Sequence, residues 1–324
     1  MNKIFTHKIF TRRFFQLLFL IFFLIVFYGF HKFANGFHAK KKTEFTVGII
    51  KTATHPALNE AQKGFIDTLH TINPHIFFIE KNAEGSVATL QIIADEMHSD
   101  PNINLIYTIA TPALAAMSQK EKIKPIIFTA VTDPTILHLN QENICGISDA
   151  VDETYLLDKT FNLLPKSHSF AILFNPSEIN SVLSKNRMMQ YAKEHDYKAH
   201  EYAVTSPLEI KVVLEQIESV DFVILPADNL LALAISLITE TLKQRNIPCI
   251  SCFPVEKDVL LYAGTDYYKA GEKVAAIAII LLKKEKKPKD FGFTKLNVDT
   301  LKYNEILLNH FNTMQKTIHK KGAL

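Results

Sequence analysis

From Phe45 onward the sequence alternates short β-rich apolar runs with stretches whose apolar residues recur at helical spacing, and it does so twice. Phe45–Ile50, Ile76–Ile79, Leu105–Ile109 and Pro125–Ala130 read as strands. Between them, Leu58, Ala61, Phe65 and Leu69, then Val87, Leu90, Ala94 and Met97, carry the spacing of amphipathic helices, and a third helix opens at Pro112. Strands that are apolar along their whole length leave no face for water. They fit a parallel sheet covered by helices on both sides. The scheme restarts near Ser148, with strands at Phe170–Phe174, Ala199–Ala203, Phe222–Leu225 and Pro248–Cys252. Helices are expected over Thr154–Leu164, Ser181–His195, Pro207–Ile217 and Asn229–Gln244. A further strand, Leu260–Gly264, leads into a helix running to Lys283, and the tail reads as a strand over Phe293–Asn297 and a helix over Leu301–Asn309. Two such halves make a cleft, with ligands expected beyond the strands' carboxyl ends.

The formal net charge of +3 conceals an uneven distribution. Residues 1–42 hold eight of the 36 Lys and Arg and no Asp or Glu, leaving 28 positive against 33 negative side chains in the body. A mildly acidic body without a basic stripe excludes nucleic acid as the expected partner. Within the basic start, Phe14–Phe30 is an apolar run of 17 residues whose clearly polar member is Gln16. That length lies between a signal-peptide core and a membrane span. Residues 1–42 are therefore read as a signal peptide or membrane anchor that exports the rest. Ala34-Asn35-Gly36 offers small residues for cleavage, and no cysteine nearby could take a lipid.

The loops after the strands hold the candidate chemistry. Thr111-Pro112 opens a helix after the third strand, and Thr132-Asp133-Pro134 follows the fourth. In the second half come Asn175-Pro176-Ser177-Glu178-Ile179-Asn180-Ser181, Asp228-Asn229, and Thr265-Asp266-Tyr267-Tyr268. Hydroxyls and helix N-termini suit an anion, and carboxylates suit a cation. Together they suit a zwitterion such as an amino acid. No phosphate loop, nucleophile elbow or paired metal-ligand spacing is present, so neither an enzymatic reaction nor a cofactor or metal is expected. Cys249 and Cys252 have redox spacing but lie in an apolar strand, where a buried inert pair is expected.

At these loops the chain resembles the ABC-transporter substrate-binding family whose best-known members take up tryptophan and other aromatic amino acids. The matching stretches are Val47-Gly48-Ile49 with His55-Pro56-Ala57-Leu58 and Gly64-Phe65; Pro125–Phe128 with Val131–Pro134; Gly146–Asp149; Asn175–Ser181; Pro226–Asn229; and Thr265–Tyr268 with Gly271. The resemblance implies a type I periplasmic-binding-protein fold, two doubly wound parallel-sheet lobes with a hinge, preceded here by the hydrophobic N-terminal helix. Lobe 1 is expected over 43–145 with 253–285 returning to it, and lobe 2 over 146–252 with 286–324 completing it. It also implies a small-molecule ligand, a membrane permease and its ATPase as separate polypeptides, and an exported, periplasmic or extracytoplasmic place for this chain, which residues 14–30 could anchor. By position, Thr111, Asn175, Ser177 and Ser181 are candidates for the ligand carboxylate, and Asp228 and Asp266 for its ammonium. Asp133, Glu178 and Asn229 complete the candidate set; Glu60, Tyr267 and Tyr268 are weighed against surface or core roles. A membrane-anchored sensory module of the same fold is the alternative.

Overall fold

The computed structural model describes Val26 and residues 45–139, 142–255, 258–296 and 300–311. The apolar run Phe14–Phe30 lies outside the described residues, Val26 excepted. In chain order the body runs β1 (Phe45–Lys51), α1 (Pro56–Ile72), β2 (Ile76–Asn82), α2 (Val87–Ser99), β3 (Leu105–Ile109), α3 (Thr111–Lys120), β4 (Ile126–Val131) and β5 (Ile144–Ser148). It continues through α4 (Glu153–Leu163), β6 (Ser169–Phe174), α5 (Ile179–Glu194), β7 (Lys198–Ala203), α6 (Pro207–Gln216), β8 (Phe222–Leu225), α7 (Asn229–Leu233) and α8 (Ile235–Gln244). The last elements are β9 (Cys249–Ser251), β10 (Leu261–Gly264), α9 (Tyr267–Leu282), β11 (Phe293–Lys295) and β12 (Thr300–Tyr303).

The strands form two six-stranded sheets, ordered β11-β5-β4-β3-β1-β2 and β12-β10-β9-β8-β6-β7. The first is parallel throughout, and the second is parallel except for the antiparallel edge strand β12 against β10. The continuous apolar runs explain this. Every residue of β3, β5 and β8 is buried, and apolar clusters lie on both faces of each sheet. The chain passes between the sheets three times, after Ser148, after Gly264 and after Lys295.

These crossings shift the expected lobe boundaries. Ile144–Ser148 is a strand of the first sheet, so that lobe runs to Ser148 rather than Cys145. The return to it begins with α9, because Leu261–Gly264 pairs with β9 in the second sheet. Phe293–Lys295 extends the first sheet instead of completing the second. Thr300–Tyr303, expected to open a helix, is a strand, and residues 305–311 supply the final helix.

α9 belongs to the first lobe through α1. A Cβ on Gly64 would lie 2.1 Å from the Tyr268 carbonyl oxygen, and one on Gly271 would lie 2.2 Å from that of Ala61. Glycine at both positions therefore lets the two backbones touch, which seats the start of α9 against the cleft end of α1. Tyr268 is consumed by this contact, its hydroxyl donating to Asp67 Oδ2 at 3.1 Å.

Candidate functional site

The carboxyl ends of both sheets converge on one small cavity. The first lobe contributes His55, Ala57, Leu58, Thr111 and Thr132; the second contributes Asn180, Asp228, Asn229, Ala232 and Phe253; Asp149 and Tyr267 come from beside two of the crossings. His55 closes the gap between the lobes, its Nε2 3.2 Å from Asn229 Oδ1. Burial lowers the His55 pKa, so the ring is neutral at pH 7. Asn229 spends its amide nitrogen on Glu178, which makes its oxygen the acceptor and His55 Nε2–H the donor.

Three acidic side chains surround the cavity without a cation among its lining residues. Glu178 Oε2 accepts from Asn229 Nδ2 at 2.7 Å, from the Asn229 backbone N–H at 3.3 Å and from Asn180 Nδ2 at 3.4 Å. Burial, with Asp228 nearby, nevertheless pushes its pKa up to about 8. Asp228 caps α7, its Oδ1 accepting from Leu231 N–H at 2.9 Å, and burial pushes its pKa up to about 6. Asp149 Oδ2 accepts from Tyr267 Oη at 2.6 Å, and burial raises its pKa as well. After all these bonds, Asp149 Oδ1, Asn180 Oδ1 and Asp228 Oδ2 still have no partner among the described residues. Their residues are 5–7% exposed and all three line the cavity. Unpaired buried acceptors are costly. Three on one wall can accept from a group with several N–H donors.

The same wall also holds a helix N-terminus, which favours an anion. α1 is a 17-residue helix whose N-cap residue, His55, makes no side-chain cap, whose first position is Pro56, and whose first turn has no acidic residue. Ala57 and Leu58, which carry its first amides, line the cavity. The start of α3 is tied down beside it: Thr52 Oγ1 accepts from Ala113 N–H at 3.2 Å and donates to the Ile109 carbonyl at 3.2 Å. Ala110 and Ala130, at the ends of β3 and β4, hold φ of 81° and 56°, a strained backbone of the kind found at binding sites.

Of the residues expected from sequence, Thr111, Asp228 and Asn229 line the cavity. Glu178, Asn175 and Ser181 stand behind it. Ser181 Oγ accepts from Asn175 N–H at 3.0 Å and Asn175 Oδ1 from Ser177 N–H at 2.9 Å, which folds the loop that presents Asn180. Ser177 itself is exposed. Asp133 caps the turn at Pro134–Leu137, accepting from Thr135 N–H at 3.0 Å, in a separate groove. Asp266 caps α9, accepting from Lys269 N–H at 3.1 Å, and is absent from the cavity wall. Glu60 is exposed on α1, outside the cavity. His55, Thr132, Asp149, Asn180 and Tyr267 complete the wall. Asp149 follows β5, and reading Ile144–Ser148 as a strand is the signal that points to it. Cys249 and Cys252 are buried free thiols, and burial pushes Cys249 up to about 12. Among the described residues no group of three His, Cys, Asp or Glu could hold a metal, and no helix is long and apolar enough to cross a membrane.

Two parallel-sheet lobes joined by three crossings define a type I periplasmic-binding-protein fold. Residues 46–321 match the family described as ABC transporter substrate binding protein, and the chain belongs to that family. It is a family of binding proteins rather than enzymes. The chain is 31% identical over 309 residues to a tyrosine-binding protein of Clostridioides difficile (strain R20291), covering 90% of this chain and 87% of that one. Among solved structures, a conserved domain protein from Vibrio cholerae superposes with a TM-score of 0.77 at 26% identity, covering 83% of this chain and 95% of its own. An ABC domain from Streptococcus pneumonia in complex with L-Trp gives 0.73 at 23% identity over 82% and 94%, a likeness of fold.

Proposed function

We propose that the protein captures a free aromatic amino acid between its lobes and delivers it to the permease of an ABC importer, whose ATPase drives transport. The observation that carries this is the pairing of unlike charge preferences on one cavity wall. The uncapped start of α1 takes the α-carboxylate, and Asp149 Oδ1, Asn180 Oδ1 and Asp228 Oδ2 take the three protons of the α-ammonium. A tyrosine-binding relative and a neighbour of like fold holding L-Trp support the aromatic side chain.

The mechanism is capture without chemistry. Between the lobes as they stand the cavity is about 30 Å³, room for a water or two. An amino acid therefore enters when the lobes part, and their return makes contacts from both sides that exist in the closed state alone. Family members work on the outer side of the membrane, and residues 1–42 are read as the segment that exports this chain, with Phe14–Phe30 as its apolar core.

A thermal-shift screen of the twenty amino acids, with sugars as controls, tests the reading. A ligand at a hundredfold its Kd adds about 2.7 kcal/mol. At roughly 2–4 °C per kcal/mol, tyrosine or tryptophan should raise the midpoint by several degrees. The chain has no Trp, so bound tryptophan is seen directly by its fluorescence. A folded protein that shifts with no amino acid would overturn the proposal.

A further inference from the structure

A groove of about 620 Å³ adjoins the cavity, between the start of α1 and the α7–α8 pair. His55, Ala57, Ala232 and Phe253 wall both spaces, so a ligand held by its charged end in the cavity has this groove beside it. α7 and α8 are joined by Ala234 alone, with φ −96° and ψ 10°, so the pair is nearly continuous. Ala232, Ile235, Ser236, Thr239, Glu240 and Lys243 all line the groove, at the spacing of one helix face. The stripe changes character with distance from the cavity. Ala232 and Ile235 are apolar, Ser236 and Thr239 carry hydroxyls, and at the outer end Lys243 pairs with Asp258 at 2.8 Å. At about 1.5 Å per residue, Ser236 lies about 6 Å further out than Ala232, the reach of a para-substituted benzyl side chain.

We propose that this groove is the side-chain subsite, and that Ser236 and Thr239 read a polar atom at the far edge of the ligand's ring, so that tyrosine is taken over phenylalanine. The inference rests on the amino-acid reading above. Apolar walls barely separate two rings that differ by one hydroxyl. Polar groups placed at the tip separate them strongly, because the analogue without the hydroxyl leaves those groups unpaired. Thr239 is 5% exposed, and its hydroxyl donates to the Ser236 carbonyl at 3.3 Å, which leaves its oxygen to accept the phenolic proton. Ser236 Oγ, at the open side, can accept or donate. The outer Lys243–Asp258 pair is neutral as a unit, and Glu240 beside it is exposed to solvent and leaves that end acidic, which suits an uncharged hydroxyl and opposes an anionic tip.

Isothermal titration of the full chain with tyrosine and with phenylalanine, for wild type, Ser236→Ala and the Ser236→Ala/Thr239→Val double variant, tests this. The wild type should bind tyrosine at least tenfold more tightly. Ser236→Ala should cut that ratio at least threefold, and the double variant should bring the two ligands within twofold, with tyrosine weakened and phenylalanine tightened because no polar group is left unpaired against its ring. Ser236 is exposed, so its single variant remains informative even if the buried Thr239 change perturbs folding. Equal wild-type affinities, or a preference that survives the double variant, would overturn the subsite and leave the amino-acid reading standing. Binding of neither amino acid would overturn both.

Discussion

Glu121, just past the end of α3, and Asp228, at the cleft end of α7, are both buried carboxylates, and their surroundings treat them in opposite ways. Burial pushes the Glu121 carboxyl up, but the Ile123 and Lys124 amides and His98 outweigh it and hold the pKa below its ordinary value. Its Oε1 accepts from those amides at 2.7 and 2.9 Å, and its Oε2 lies 3.0 Å from His98 Nδ1. Nearby, Lys124 Nζ donates to the carbonyls of Met97, His98 and Asp100, so this corner of the first lobe is closed on itself. Asp228 has one oxygen bonded at 2.9 Å and a second without a hydrogen bond of ordinary geometry, near which the Ser181 hydroxyl and the Asn175 amide only partly offset burial, and no cation on the cavity wall. A carboxylate that fastens a turn brings its partners with it. One that waits for a ligand is left short of them, and the fold bears that cost until the ligand arrives.

Exchanging charge for shape at each position separates the two roles. Asp228→Asn keeps a good helix cap but removes the charge that we propose to face the ammonium. Affinity for the amino acid should fall about a hundredfold, or about 3 kcal/mol. The ligand-free midpoint at pH 8 should hold or rise, since a buried unpaired charge is gone. Lost stability with unchanged affinity would make Asp228 a structural residue like Glu121. Glu121→Ala should do the reverse, costing about 2 kcal/mol by leaving its donors unpaired, with the Kd unaltered. Chemical denaturation and isothermal titration on the same two variants read both quantities.

Much of the frame is visible in the sequence because parallel strands buried on both faces announce themselves as unbroken apolar runs. Val47–Ile50 and Leu105–Ile109 are legible for that reason. Ile144–Ser148 is not, since Cys145 and Gly146 interrupt the β-rich pattern; Gly146 is there because a Cβ would meet the Phe128 carbonyl at 2.5 Å. Missing that strand hides Asp149, which follows it. Thr300–Tyr303 misleads in another way, because a short antiparallel edge strand carries no long apolar run. Within the site, Asp228 and Asn229 stand out as a helix cap after a strand, but the same signature marks Asp266 and Asp133, whose caps point elsewhere. Capping chemistry is local, whereas facing a cleft depends on where two lobes meet. The α1 terminus is the clearest case. What matters there is a cap that is absent, and the sequence shows only His55-Pro56.

The smallest effect, and the one that ties the comparison to pH, is proton linkage. Glu121 has a lowered pKa, so its contribution to stability is present above its unfolded value near 4.5 and is lost as pH falls below it. The cleft works the other way. Asp228 rises from 3.8 to about 6 and Glu178 from 4.5 to about 8, so their contribution is full below about pH 4 and is lost as pH climbs through 6 to 8. The ligand-free wild type should therefore lose stability relative to Asp228→Asn between pH 5 and 8. An ammonium in the cavity favours the ionised carboxylate, so binding releases protons and tightens with pH, by about tenfold for each proton and pH unit below the pKa. With one such group near 6, affinity should fall about tenfold from pH 8 to pH 5 and flatten in the Asp228→Asn variant. Titrations in buffers of different ionisation enthalpy measure the released proton directly. An affinity that is constant or rises toward pH 5 would mean that the cleft carboxylates do not meet the cation, and the cavity would lose its claim to the ammonium.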